Sequence, residues 1–322
     1  MKTKNIIKLC LLLVPCFLFR ATAHGAEYPA KTVQIISNFP PGSNTDIVSR
    51  ILQKKLSTLF GQSVAIINKA GGAGTVGIQT VFASPADGYT ILTSAPVVVI
   101  APLTVKGLPY SFKDFTPINM GVGMPSVISV KKDAPWKSLE ELVADAKKNP
   151  GKLTYSSPGP ATVPHLAGEL FKMTTGTDIT HIPMDGAPKA MTAVLGGHVN
   201  MTFIAYGAQK KFLEAGSLRA LATMSRSPLE EFPDVPTTVG KGYPKLISLA
   251  WVAFFVSAKT PPSIVRKLGE VFKEALNDKE IIGLLKNAGF KTENLGPEEA
   301  AKFFAEEEER LSQAIKAAKI EQ

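Results

Sequence analysis

Beyond Cys16 the chain contains no cysteine; its only two, Cys10 and Cys16, fall in the first 23 of 322 residues. Everything downstream is therefore without disulfides, thiolate nucleophiles or cysteine-ligated metals. Histidine is sparse too, and His24, His165, His181 and His198 show none of the short spacings of a zinc site. No apolar run reaches the roughly 20 residues that a membrane-spanning helix needs. The excess of positive charge is also small. Of the formal +9, Lys2, Lys4, Lys8 and Arg20 lie in the first 23 residues, leaving 32 basic against 27 acidic residues. The basic residues are scattered, without the aromatic-interleaved stripe of a nucleic-acid surface, so no nucleic-acid partner is expected. No nucleophile–base pair, metal cluster or phosphate loop stands out, which argues against catalysis.

The first 23 residues read as an export signal. Lys2, Lys4 and Lys8 precede the apolar stretch Leu9 to Phe19, and Ala21-Thr22-Ala23 has the small-x-small form of a cleavage site. Cysteine 16 is a poor lipid attachment point, because Val14 and Pro15 precede it where a small residue is needed. Cleavage near Ala23 predicts a periplasmic chain that is not itself membrane-embedded. The 299 residues that remain are enough for two domains with sizeable cores.

Through most of that length, apolar β-rich runs alternate with amphipathic helical ones, the signature of α/β layers. Val33–Ile36 and Ser63–Asn68 read as strands, separated by a helical stripe of Ile47, Ile51, Leu52 and Leu56. Thr90–Ser94 and Val97–Ile100 are further buried apolar runs. Ser138-Leu139-Glu140-Glu141 is a capping box, and Thr260-Pro261-Pro262 predicts a threonine cap before a proline-led helix. The acidic run Glu306–Glu309 reads as a solvated helix face. Ile118–Val130 and Leu246–Val256 are strand-like stretches long enough to cross between lobes. Two crossings predict lobe 1 from 24–124 and 248–322, lobe 2 from 125–247, and a ligand cleft between them.

One pattern occurs once in each half. Ser37-Asn38-Phe39-Pro40-Pro41-Gly42-Ser43-Asn44-Thr45-Asp46 follows one strand and enters a helix. Ser156-Ser157-Pro158-Gly159-Pro160-Ala161-Thr162-Val163-Pro164-His165 does the same downstream. A small-residue loop opening a helix leaves N–H groups unpaired at the positive end of the helix dipole, a place that favours an anion. Two such loops on two lobes would clamp a small carboxylate. Asp46 reads either as a cap or first-turn acid or as a ligand contact, and His165 either as a packing or capping histidine or as a ligand contact.

Two other matches carry less. Gly72-Ala73-Gly74-Thr75-Val76-Gly77 fits the dinucleotide fingerprint, but Val97, Val98 and Val99 stand where its acid belongs, so it reads as a structural glycine turn. Ser129-Val130-Lys131-Lys132 fits a serine–lysine motif, yet the serine sits in a strand-like run rather than at a helix start.

Taken together, the motifs resemble the receptors of tripartite tricarboxylate transporters, the Bug-type solute-binding proteins. The resemblance runs through Tyr28-Pro29-Ala30-Lys31, the first loop with Ser49-Arg50, and Asn68-Lys69-Ala70-Gly71-Gly72-Ala73-Gly74. It continues in Pro85-Ala86-Asp87-Gly88-Tyr89-Thr90, His165-Leu166-Ala167-Gly168-Glu169 and His181-Ile182-Pro183-Met184-Asp185-Gly186-Ala187. Leu218-Arg219-Ala220-Leu221-Ala222 and Phe232-Pro233-Asp234-Val235-Pro236-Thr237 complete it.

The resemblance implies a type II-like periplasmic-binding-protein fold, two α/β lobes joined by two crossing strands. It implies a carboxylate held by both loops, no cofactor, no catalytic or metal residues, and delivery to the membrane permease subunits of a tripartite transporter. Carried onto this chain, the first-lobe contacts are Phe39, Gly42, Ser43, Asn44 and Asp46. Those of the second lobe are Ser157, Gly159, Ala161, Thr162, Val163 and His165, with Asp185 in the following loop. The chain departs from the family in Pro158, Pro160 and Pro164, which stiffen the second loop, two of them removing donors at its centre. Thr162-Val163 replace a glycine-serine pair, Asn44 adds an amide, and Met184 stands where an aromatic is common. A carboxylate sensor feeding a signalling system, or an enzyme on the same scaffold, are the alternative readings.

Overall fold

The computed structural model describes residues 28–320; the export-signal reading lies outside the described residues. The chain opens with β1 (Val33–Ser37), α1 (Asn44–Phe60), β2 (Val64–Asn68), α2 (Thr75–Phe82), β3 (Thr90–Ser94), α3 (Val97–Thr104) and β4 (Phe115–Pro125). It continues through β5 (Val127–Lys131), α4 (Leu139–Lys148), β6 (Thr154–Ser157), α5 (Val163–Thr175), β7 (Thr180–Pro183) and α6 (Ala187–Leu195). Then come β8 (Met201–Thr202), α7 (Tyr206–Glu214), β9 (Leu218–Thr223), β10 (Leu249–Ser257), α8 (Pro262–Leu276), α9 (Lys279–Asn287), β11 (Lys291–Leu295) and α10 (Pro297–Ala317).

The strands form two sheets. One has six strands in the order β11-β4-β10-β3-β1-β2, the other five in the order β7-β6-β8-β5-β9. The first sheet thus takes strands from both ends of the chain and the second is built from its middle. This is the two-lobed α/β architecture expected. The chain leaves the first sheet between Pro125 and Val127 and returns at Leu249. The two passages are tied together there: the Ser126 N–H donates to the Ser248 carbonyl at 2.9 Å, and their hydroxyls lie 3.0 Å apart.

β1 pairs in parallel with β2 and β3, in register from Val33 opposite Val64 and from Gln34 opposite Thr90. β6 likewise runs parallel to β7 and β8. In each sheet the loops after these parallel strands therefore emerge at one edge, which is where α/β proteins place ligands. α1 buries Val48, Leu52, Leu56 and Phe60 on the sheet, one stripe of a 3.6-residue period. On the other side of that sheet, α10 packs Phe304, Leu311, Ala314 and Ile315 in a cluster with Ile36, Val98 and Trp251. Leu166 of α5 joins the same cluster, with Ala161 and Val163 packed against it. The second lobe's loop-and-helix start thus leans on the first lobe.

Four local expectations are refined. Val97–Ile100 is helical, with Val98, Val99 and Ile100 buried and Pro96 already in helical geometry; packing overrides the β preference of its valines. Thr260 does not cap α8, whose N-cap position is Pro261, and the Thr260 hydroxyl is buried without a partner. Ser138 caps α4, but Glu141 returns to the N–H of Lys137 rather than of Ser138. In the acidic run of α10, Glu307 is buried, only 2% exposed. Among the described residues no helix is long and apolar enough to cross a membrane.

Candidate functional site

The first loop is braced by one buried acid. Ser43 is the N-cap of α1, its hydroxyl accepting from the Asp46 N–H at 3.4 Å, while its own N–H goes to the Pro40 carbonyl at 3.2 Å. The Asp46 carboxylate, 3% exposed, accepts from the Gly42 N–H, the Asn68 amide and Arg50 Nε, each at 2.9 Å. Gly42 turns that N–H inward with φ 81°, a conformation glycine adopts freely. Burial alone would raise the carboxyl's pKa; the bonds from Arg50, Gly42 and Asn68 outweigh it and hold the acid below its ordinary value. The Asn68 amide also donates to the Phe39 carbonyl at 3.0 Å, and Arg50 reaches Asn68 Oδ1 at 3.2 Å. Asn68 and Arg50 thus hold the loop beside Asp46; their nearness in space comes from the β1–β2 pairing.

Asp46→Ala is expected to cost about 1–3 kcal/mol, because it removes a buried charged acceptor that ties three donors of the loop together. A urea titration showing a loss under about 0.5 kcal/mol would remove the brace assignment. The sign with pH follows from the lowered pKa. Asp46 stabilises the fold above the ordinary carboxylate range, and that contribution disappears as pH falls through its depressed folded value.

The second loop is braced by rings. The Ser157 hydroxyl accepts from the Gly159 N–H at 3.1 Å, and His165 Nδ1 accepts from the Ala161 N–H at 3.1 Å. Thr162 Oγ1 donates to the Gly159 carbonyl at 2.7 Å and makes no cap bond. Ala161 sits at φ 58°, the left-handed region, which costs a residue with a side chain energy and recurs at binding loops. Met184 and Gly186 donate to the Ser157 and Pro158 carbonyls, so the loop carrying Asp185 is joined on. The Asp185 side chain is 92% exposed and pairs with Lys189 at 2.9 Å. Asn44 is exposed and Phe39 half-buried against Gly74.

The loops leave fewer N–H groups free than their sequences imply. Those of Gly42, Ser43, Gly159 and Ala161 are engaged internally. At α1, Asp46 and Ile47 donate to the Ser43 hydroxyl and carbonyl, which leaves Asn44 and Thr45 without partners among the described residues. At α5, Leu166 donates to Thr162 and Pro164 has no N–H, which leaves Val163 and His165 inside the helix, and Thr162 at its cap, without partners among the described residues. The first turn of each helix therefore offers two free donors at its positive end, and α5 adds the Thr162 N–H at its cap.

Ser157 Oγ lies 2.7 Å from His181 Nε2, a serine–histidine pair invisible in the sequence because the residues are 24 apart. It is not a nucleophile. Ser157 is fully buried, and burial, with His165 and Lys172 nearby, pushes His181 down to about 4. No group of three or more potential metal ligands occurs among the described residues. A groove of about 660 Å³ between α6 and α7 is lined by residues of those helices alone and includes neither loop.

Known proteins share the fold. The sequence model of the tripartite tricarboxylate transporter family receptor matches residues 48–320. Protein BugT of Bordetella pertussis is 33% identical over 95% of this chain and 96% of its own. A solute-binding protein of this family from Polaromonas superposes with a TM-score of 0.83 at 26% identity, over 90% of this chain and 99% of that one. A protein of R. palustris solved with adipate superposes at 0.71 and 28% identity, over 91% and 98%. The chain belongs to the tripartite tricarboxylate transporter receptor family, whose members are solute receptors rather than enzymes.

Proposed function

We propose that this receptor captures a small organic carboxylate between its two loops in the periplasm, by lobe closure, and hands it to the permease subunits of a tripartite transporter. The observation that carries the reading is the pair of helix starts, one on α1 and one on α5, each with two unpartnered N–H groups in its first turn. Free donors at a helix N-terminus suit a carboxylate without any cationic side chain. The R. palustris relative solved with adipate supports that ligand class. The direct donors are then the N–H groups of Asn44, Thr45, Thr162, Val163 and His165. Phe39, Gly42, Ser43, Asp46, Ser157, Gly159, Ala161 and Asp185 shape the walls around them. Lobe 1 comprises 24–124 and 248–322, lobe 2 comprises 125–247, and the two hinge where Ser126 meets Ser248. Closure follows if the ligand binds the closed form better than the open one.

A panel of mono-, di- and tricarboxylates, with adipate included and neutral analogues as controls, tests this by thermal shift and calorimetry. An acid at about 100 times its Kd is expected to add about 2.7 kcal/mol of stability. That is a rise of roughly 5–10 °C for a protein of this size. Stabilisation by neutral or cationic compounds alone would overturn the anion clamp.

A further inference from the structure

The second loop contains three prolines, a left-handed alanine and a threonine that caps nothing, yet it holds one defined conformation. Its order comes from a column of three rings. His181, on β7, stacks on His165 of α5 with ring centroids 3.9 Å apart and planes 10° from parallel. Its opposite face lies on Tyr155 of β6, at 4.9 Å and 29°. Tyr155 is the fixed end: its hydroxyl donates to Glu169 Oε1 at 2.8 Å and the His165 carbonyl at 3.2 Å, and Phe203 packs edge-on at 5.3 Å. Gly168 leaves the ring its place, since a Cβ there would lie 2.3 Å from it. The middle ring touches both loop anchors at once, Ser157 through Nε2 and His165 through its face.

We propose that His181 is the positioning residue of the second loop. Lodged between His165 and Tyr155, it fixes the Ser157 hydroxyl and the His165 imidazole where they accept the Gly159 and Ala161 N–H groups. It thereby decides that Thr162, Val163 and His165 are the donors left for an anion. That last step rests on the proposed receptor function; the positioning itself does not.

The column requires neutral rings. His165 Nδ1 must keep a lone pair for Ala161, and a charge on His181 would lie between two rings, 3.9 Å from a second imidazole. The charged groups around it are Glu169, which favours protonation of His165, and Lys172, which opposes it in both histidines. Burial is the largest influence on each ring and keeps both below their ordinary range.

The test is amide exchange and resonance position in the whole mature chain without ligand, followed by adipate titration. In His181→Phe the exchange of Gly159 and Ala161 should quicken about tenfold or more, the loss of one hydrogen bond each, while Gly42 stays protected. His181→Gln keeps a polar atom for Ser157 and should restore Gly159. In the wild type the Gly159 resonance should move as pH falls through about 4; in the Gln variant it should not, while Ala161, bonded to His165, keeps its own response. Ser157→Ala is the second route should the Phe variant fail to fold, and it should release Gly159 alone. Unchanged exchange of Gly159 and Ala161 in His181→Phe, or of Gly159 in Ser157→Ala, would overturn the positioning role whatever adipate does. A loosened loop together with weaker adipate binding supports both proposals. A loosened loop in a protein that binds adipate neither as wild type nor as variant leaves the positioning role standing and counts against the ligand class.

Discussion

Replacing Glu307 with alanine is expected to remove about 3–5 kcal/mol of stability, the cost of leaving a buried charge without its partner. Glu307 lies on the buried face of α10, where one carboxylate oxygen accepts from Trp251 Nε1 at 3.2 Å and the other pairs with Arg310. The Arg310 side chain is itself only 17% exposed, and burial pushes its guanidinium down to about 10, with Glu306 opposing the shift and Arg226 adding to it. Arg310 and Glu307 line a small space with Leu166 and Leu170 of α5 and with Ile247 to Leu249, where the chain returns to the first sheet. Alanine at 307 would therefore strand a cation where the two lobes meet. At this size the midpoint should fall by roughly 6–20 °C. Glu307→Leu with Arg310→Met should recover most of the loss, because apolar replacements of similar volume need no partner. A single-variant loss under about 1 kcal/mol would show that water reaches Arg310. The exposed pairs across the same junction, Arg226–Glu306 at 3.2 Å and Lys286–Glu230 at 2.8 Å, are worth about 1 kcal/mol or less each.

Glu307 also marks where local sequence signals end. Local signals carry far: the Ser138 cap, the stripe of α1 and both small-residue loops are written in neighbouring residues, and each is found in place. The two sheets followed from alternation of strand and helix, and the crossings from two long apolar runs. What was not legible depends on residues brought together by pairing. Four consecutive glutamates look like one solvated face, yet a helix turns one of every four inward, and only α5 and Trp251 make that inward side a core. His181 sits 16 residues from His165, and their stack exists only because β7 pairs with β6, placing His181 opposite Tyr155. The free donors were misjudged for the same reason. Counting N–H groups in a loop says nothing about side chains such as Asp46, Ser157 and His165, which turn back and occupy them.

Gly77→Ala is expected to cost about 1–3 kcal/mol or more, as overpacking against an unyielding neighbour does, and, under the proposed function, to abolish binding of a carboxylate. A Cβ at Gly77 would stand 2.6 Å from Asn38 Cα and 2.9 Å from the Lys69 carbonyl oxygen. Both are backbone atoms, so no side chain can swing away. Asn38 follows β1, and its amide donates to Ser94 Oγ at 3.1 Å and to the Gly74 carbonyl at 3.4 Å. The next residue, Phe39, gives its carbonyl to Asn68. Pushing Asn38 outward thus pulls on every tie that sets the first loop and moves the Asn44 and Thr45 donors with it. The third glycine of the false dinucleotide match has a plain reason to be there: it lets α2 lie directly against the strand that feeds the site. Gly283→Ala in α9 is the control, because nothing lies within 4 Å of its would-be Cβ. That change should be neutral or stabilising by about 0.4–1 kcal/mol. Thermal melts and adipate calorimetry on both variants separate the effects. If Gly77→Ala melts and binds like the wild type, the close approach of α2 to the loop is not what holds the first half of the clamp.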